Sequence, residues 1–450
     1  MKILKIISTF LINICICISI SSDFHIDILD ETLENGIRLI VVPMKSNKCV
    51  KFGIIYNVGS MDDPIGKIGL SHFLEHMMFK GTKTIPGNKY KYLIDKYNSN
   101  TNAFTSEDIT CYYYVLQSEF LDINMKLEAD RMQNLSLDQD DINSEKQVIL
   151  EERNMRMESD PKTMYVIETI LKSLYLYSNY SYPVIGYKHQ IESYDRPSLK
   201  KHYNKFYTPS NATILIVGDI SKEEALKKTK LYFGFIKSGK KIERKRVVDP
   251  KDMGIHHIID HASKQITTKD IGIVYNIDRE KFNNFKNILI NKIIITMLSG
   301  SNRSYLYKNI VIEKNMAYNL DGSLDIRLYD KILYIINADL TNQTNFMNIR
   351  KEIEKYIELF QKKIHDKSKD IIEMFEITKN SIKNLILLDK DDPERMFDMI
   401  LQYTILNYKT EDIKNIYQIL DSITFEDILH NIDGIFNNQV LVVYNHPKSK

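Results

Sequence analysis

The chain has no tryptophan, and its 450 residues include only four cysteines and ten prolines. Cys15 and Cys17 fall in an N-terminal apolar run, so a processed chain would keep only Cys49 and Cys111. Neither has the spacing of a zinc knuckle, which excludes a small cysteine-held metal module. In an oxidising compartment the two could form a disulfide; as buried thiols they would serve packing instead. An excess of one charge is missing too: 61 Lys and Arg meet 59 Asp and Glu, a net of +2. That balance gives no reason to expect nucleic acid as a partner. The one basic concentration, Lys237 to Arg246, fits a solvated linker better than a polyanion site.

What remains is an ordinary globular composition, 43% hydrophobic and 27% charged, with 28 tyrosines supplying much of the large aromatic surface. The N-terminus sets Lys2 and Lys5 before the apolar run Ile6 to Ile20, which is short for a membrane span of ~20 residues. Ser21 and Ser22 offer a cleavage site. Residues 1–22 therefore read as a secretory signal peptide, with an uncleaved membrane anchor as the alternative, and the expected destination is the bacterial periplasm. The run carries no lipobox before its cysteines. It also lacks the arginines of an organelle transit peptide.

A chain of this length exceeds one hydrophobic core, so two domains of about 200 residues are expected. The sequence echoes itself at that distance: Phe52-Gly53-Ile54-Ile55-Tyr56-Asn57 returns as Ile271-Gly272-Ile273-Val274-Tyr275-Asn276. A helical stretch follows each copy. Apolar strands, Ala212 to Gly218 and Val440 to Tyr444, close the two halves. The boundaries read as 23–236 for the first domain, 237–256 for a linker and 257–450 for the second. Residues 36–43, 50–56 and 102–116 read as strands, the last as one long strand of unclean alternation. Residues 88–97, 119–134 and 141–158 read as helices.

Gly69-Leu70-Ser71-His72-Phe73-Leu74-Glu75-His76-Met77 carries the chemistry. As a helix it puts Leu70, Phe73, Leu74 and Met77 on one stripe and His72, Glu75 and His76 on the other. Two imidazoles at i and i+4 can reach one metal ion, with a carboxylate between them. Downstream, Glu145, Val148, Ile149 and Glu152 share a helical face, because seven residues is nearly two turns. Two carboxylates on an apolar stripe would be costly without partners, and a cation removes that cost. The second half's helix, Phe282 to Met297, has no such motif, so one metal per chain is expected. His257 and His261, on an apparent strand, would lie ~13 Å apart, too far to share a metal; with His256 they read as non-functional.

His72-Phe73-Leu74-Glu75-His76, followed 76 residues later by Glu152, resembles the pitrilysin family of zinc metallopeptidases, the insulinase and mitochondrial-processing-peptidase group. Phe79-Lys80-Gly81-Thr82, Asn102-Ala103-Phe104-Thr105-Ser106, Pro183-Val184-Ile185-Gly186 and Tyr207 to Ala212 add to the likeness, which is greatest to exported bacterial members. The resemblance implies an α+β fold of two duplicated α/β-roll domains, each a sheet with helices packed on one face. It also implies a zinc-dependent endopeptidase cleaving extended or unfolded peptides. One Zn²⁺ would be held by His72, His76 and Glu152, with Glu75 as the general base and Glu145 behind a ligand. Asn102, Ala103 and Phe104 would pair with substrate backbone as an added strand.

In such proteins the second domain offers an Arg and a Tyr to the substrate carbonyl. Here Tyr318 matches the Tyr, but Tyr305 stands where relatives carry Arg, and Arg303 is two residues early. That departure suggests a dimer, of identical chains or with a zinc-less homologous subunit that supplies what is missing. The rival expectation is a non-catalytic structural subunit of a larger complex, since the same fold serves in that role.

Overall fold

A computed structural model describes residues 25–45, 48–97, 100–159, 169–244, 246–250, 256–264 and 266–448. The N-terminal stretch read as a signal peptide lies outside them. Among the described residues no helix is long and apolar enough to cross a membrane.

Two sheets organise the chain. The first holds β1 (Leu29–Thr32), β2 (Arg38–Pro43), β3 (Cys49–Tyr56), β4 (Asn100–Thr105), β5 (Thr110–Gln117) and β6 (Ala212–Gly218) in the order β1-β2-β6-β3-β5-β4. Its helices are α1 (Leu70–Met77), α2 (Gly87–Lys96), α3 (Leu121–Asn134), α4 (Gln139–Ser159), α5 (Arg196–Phe206) and α6 (Lys222–Phe233). The second sheet holds β7 (His257–Ser263), β8 (Asp270–Ile277), β9 (Ala317–Ile326), β10 (Ile332–Leu340) and β11 (Gln439–Pro447), ordered β7-β11-β8-β10-β9. With it go α7 (Phe285–Leu298), α8 (Phe346–His365), α9 (Lys369–Asp389), α10 (Pro393–Ile405) and α11 (Phe425–Ile432).

The sheets are copies of one plan. Apart from β1, strands correspond one for one. A parallel pair (β2 with β6, β7 with β11) is extended by three antiparallel pairings to an edge strand, β4 or β9. Each half encloses an apolar core, and β6 is buried along all seven residues because both faces of its sheet are covered. The second cover is exchanged between halves. Helix α10 of the second half lies on the first sheet, where Phe397 packs against Gly53 so closely that a Cβ there would stand 2.5 Å from the ring. In return Met61, Ile170, Leu174 and Tyr175 pack on Val274, Leu333 and Val443 of the second sheet.

Two expectations change and one open choice closes. The stretch 102–116 is a hairpin, not one strand: Ser106 N donates to Ile109 O at 2.8 Å, and Ser106 Oγ accepts from Ile109 N at 3.2 Å. The tight turn explains why one alternation did not run through. Cys49 and Cys111 cannot form a disulfide, because β3–β5 register sets Cys49 opposite Gln117 and Cys111 opposite Ile55. An offset of six residues is about 20 Å, against a Cα separation below about 7 Å for a disulfide. The basic segment is not solvated throughout either. Arg244 and Arg246 have side chains only 11% and 6% exposed, and both grip Asp62.

Candidate metal centre

Helix α1 is placed by what surrounds its first turn. Gly69 takes φ +95°, where a side chain would collide with Gly186 and Tyr194, so the chain turns sharply into the helix. Buried Asp63 caps it, accepting Gly69 N at 2.7 Å and Ser71 N at 2.9 Å. Leu70, Phe73, Leu74 and Met77 are fully buried, which turns His72, Glu75 and His76 the other way. Helix α4 passes alongside. Buried Glu145 and Ile149 and half-buried Glu152 face α1, whereas Val148, expected on that stripe, is 46% exposed.

His72, His76 and Glu152 converge, with one donor atom of each within 4.8 Å of the others. Glu152 Oε2 lies 3.7 Å from His72 Nε2 and 3.4 Å from His76 Nε2. Ligands about 2.0–2.2 Å from a tetrahedral zinc are about 3.3–3.6 Å apart, so both Glu152 contacts lie within a few tenths of an ångström of that spacing. The donor set supports the same conclusion. Glu152 Oε2 is buried without a well-aligned hydrogen bond, an acceptor that a cation set between it and the two imidazoles would satisfy. Burial, and then the neighbouring His76, pushes the His72 imidazole down to about 3, leaving it neutral with a lone pair to offer.

The other partners hold the set in place. His76 Nδ1 donates to Glu145 Oε1 at 2.8 Å, which aims Nε2 at the centre. Lys80 Nζ stands 2.5 Å from Glu145 Oε2, and Arg156 pairs with the second oxygen of Glu152. Burial works against charge on His76, but the carboxylates of Glu145 and Glu152 outweigh it and raise the imidazole to about 9. Burial likewise opposes charge on Glu152. His76, His72 and Arg156 overcome it and hold the carboxyl down to about 2. Glu75 lies beside the three but outside the set. Its Oε2 accepts from Thr105 Oγ1 at 2.5 Å, and burial raises its pKa despite that bond.

A cavity of about 580 Å³ opens over these groups. Asn102, Ala103, Phe104 and Thr105 of the edge strand β4 form one wall, as expected of a strand offered to a peptide. Asn102 Oδ1 accepts from Ala103 N at 2.8 Å, which marks that N–H as facing away from β5. The second-half residues do not join the site. Tyr305 is buried between Tyr356 and Phe360, and Arg303 and Tyr318 are exposed elsewhere; none lines the cavity.

Three contributors went unread in the sequence. Arg156 lies four residues after Glu152 on one helix, a spacing that was there to find, whereas Lys80 lies past the end of α1 and meets Glu145 only through the fold. Thr105 had only strand parity with Ala103 to mark it.

Two α+β halves of one plan, the first carrying the one His-His-Glu donor set among the described residues, point to the peptidase class. Residues 39–187 match the profile of the insulinase peptidase family M16, and residues 193–372 that of the "Peptidase M16 inactive domain". The chain belongs to the insulinase (M16) peptidase family. Its relatives include the zinc protease PqqE of Helicobacter pylori, 27% identical over 334 residues and 74% of each chain. An uncharacterized zinc protease of Rickettsia felis is 23% identical over 406 residues, 90% of this chain and 94% of that one. Among solved structures, a protease from Helicobacter pylori superposes with a TM-score of 0.83 at 23% identity, covering 94% of this chain and all of the other. The first half of the periplasmic protease PqqL from Escherichia coli gives 0.77 at 19%, covering 94% and 92%.

Proposed function

We propose that the protein is an exported zinc-dependent endopeptidase that cleaves extended or unfolded peptides. The observation that carries this is the convergence of His72 Nε2, His76 Nε2 and Glu152 Oε2 beside a Glu75 that stays outside the set. Zinc held by these three would supply a Lewis acid and make a water acidic enough to attack at neutral pH. Glu75 is the base that takes the proton from that water and hands it to the leaving amine. Burial, which raises its pKa, suits it to both halves of that exchange. Thr105 fixes the Glu75 carboxyl on the substrate side, and β4 aligns the peptide backbone. Recognition through main-chain pairing tolerates varied side chains, so cleavage is loosely sequence-specific.

Tyr318 sits nine residues along the second half from Arg327, which pairs with Glu107 at the rim of the zinc cavity. Tyr318 itself does not line that cavity, so on this reading a role for it on a substrate carbonyl would be played at the zinc site of a second chain. A dimer, identical or with a zinc-less homologue, follows from the reading.

The test is a quenched-fluorescence peptide assay on zinc-loaded wild type and Glu75→Gln, with metal content measured on both. Turnover is expected to fall by roughly 10²–10⁴-fold at unchanged zinc. A zinc-loaded wild type as inert as the variant would favour the structural-subunit reading.

A further inference from the structure

The three groups of the metal set are not held alike. His76 Nδ1 bonds Glu145 and Glu152 is paired with Arg156, but His72 Nδ1 is buried with no hydrogen-bond partner among the described residues. A metal-binding imidazole ordinarily gives its other N–H to a carboxylate or carbonyl, which fixes the ring. His72 has only packing and its own backbone to aim it, so its aim depends on how the first turn of α1 is fastened.

The fastening is at Ser71, the residue before it. Ser71 is buried, and its hydroxyl meets Asp63 Oδ1 at 2.7 Å, His202 Nε2 at 2.9 Å and Gly59 O at 3.0 Å. A hydroxyl has one proton to give; spent toward Asp63 or Gly59, it leaves the oxygen to accept from His202 Nε2–H. His202 comes from α5, is itself buried, and lies 4.8 Å from the Phe206 ring. Burial pushes its imidazole down to about 4, so it is neutral and keeps one donor nitrogen. The second half shows the same place without a metal set. Its cavity of about 470 Å³ is lined by Lys292, Ile295 and Thr296 of α7, spaced as His72, Glu75 and His76 are on α1. The residue before Lys292 is Asn291, buried like Ser71, and its amide donates to backbone, Lys281 O and Asn287 O, at 2.8 Å each. The half with the metal set thus fastens its helix through ionisable side chains where the other uses backbone. We infer that His202 is a positioning residue of the metal centre: through Ser71 it sets the first turn of α1 and with it the aim of His72.

The inference rests on the zinc reading above, and its test follows the metal instead of turnover. Chelator competition measures zinc affinity, and visible absorption of the Co²⁺-loaded chain reports the geometry around the ion. Urea unfolding of the metal-free chain reads stability separately. His202→Phe keeps a ring against Phe206 and removes the bond. Zinc binding should weaken about tenfold, the low end for a partner behind a metal ligand, and the cobalt spectrum should shift. His202→Gln, which keeps an N–H near the place of Nε2, should recover most of the affinity. Ser71→Ala should weaken binding as His202→Phe does, and serves where that variant does not fold. Combining the two should add little, since both act through one bond. Wild-type affinity with an unmoved cobalt spectrum in either single variant, or losses that add in the double, would overturn the inference. So would a His202→Gln as impaired as His202→Phe. A wild type that takes up no zinc would sink the peptidase reading as well, whereas normal zinc binding by every variant would sink the positioning role alone.

Discussion

The two halves share a strand order, an edge strand and a helix beneath that edge, and they differ in what the helix carries. On α1 the face toward the cavity is His72, Glu75 and His76, completed by Glu152 from α4. On α7 it is Lys292, Ile295 and Thr296. Among the described residues His72, His76 and Glu152 are the one group able to hold a metal. The fold therefore supplies a walled cavity beside an unpaired strand twice, and a handful of side chains decides whether it performs chemistry. A second difference is in how each sheet meets its borrowed cover. Phe397 of α10 presses on Gly53, whereas Gly272, at the same place in the repeated sequence, has only Asn337 Oδ1 at 3.5 Å and Val443 Cβ at 3.9 Å near a would-be Cβ.

The largest effect expected from breaking this comparison comes from Glu145→Gln, which leaves all three metal-facing atoms and removes the carboxylate behind His76. The amide cannot match the charge of the acceptor that orients Nδ1, nor balance Lys80. Zinc affinity should fall about 10–100-fold, as for other partners behind a metal-binding histidine. A chelator competition measures it, and cleavage at limiting zinc should fall in parallel while excess zinc restores most of it. Unchanged affinity would mean that packing alone holds His76.

Next in size is a matched pair of substitutions. Gly53→Ala places a methyl 2.5 Å from the Phe397 ring, which is itself fully buried and cannot retreat far. Overpacking of this kind costs about 1–3 kcal/mol. Gly272→Ala meets only ordinary contacts, so the gain in strand propensity should leave it neutral or stabilising by up to about 1 kcal/mol. Urea unfolding of both variants tests the asymmetry. Equal costs would show that the α10 cover yields readily and that the halves are docked less tightly than their packing implies.

The repeated halves and the zinc helix were legible because each rests on local periodicity: an apolar stripe, an i and i+4 pair, an echoed strand. The hairpin of β4 and β5 was not, since Ser106-Glu107-Asp108 carries neither Gly nor Pro to announce a turn, and the Ser106 hydroxyl supplements the one backbone bond that closes it. The exchange of covers was invisible for a different reason. Nothing near Gly53 in the sequence points to Phe397, and a buried Lys51 in a strand becomes sensible only once Asp398 is found 2.7 Å away. Arg244 and Arg246 misled by composition: a basic run reads as solvated until Asp62 and Asp108 arrive from the other end of the fold. Donor convergence at the metal centre was foreseeable for the ligands themselves. The groups behind them, Lys80, Arg156 and Thr105, are ordinary polar residues whose roles depend on which neighbour they meet.

The smallest effect concerns the outer rim, where the first sheet ends in β1, a strand the second sheet lacks. Asp30 of β1 takes Arg38 Nε at 2.9 Å and Nη2 at 2.7 Å, and is also bonded by Thr410 of the second half. Burial tends to raise the Asp30 carboxyl, but Arg38 and Thr410 outweigh it and hold it below the ordinary value. A carboxyl depressed on folding contributes stability above its unfolded pKa of ~3.9, and that contribution is lost as pH falls through the folded value. Both side chains are roughly a third exposed, so the pair is worth no more than about 1 kcal/mol. Asp30→Asn should accordingly lower thermal stability slightly at pH 7, and the gap to wild type should close as melts are repeated toward pH 3. A gap of the same size at both pH values would assign the loss to packing around Thr410 instead of to the charge, and would make this rim no different in kind from the α10 contact at Gly53.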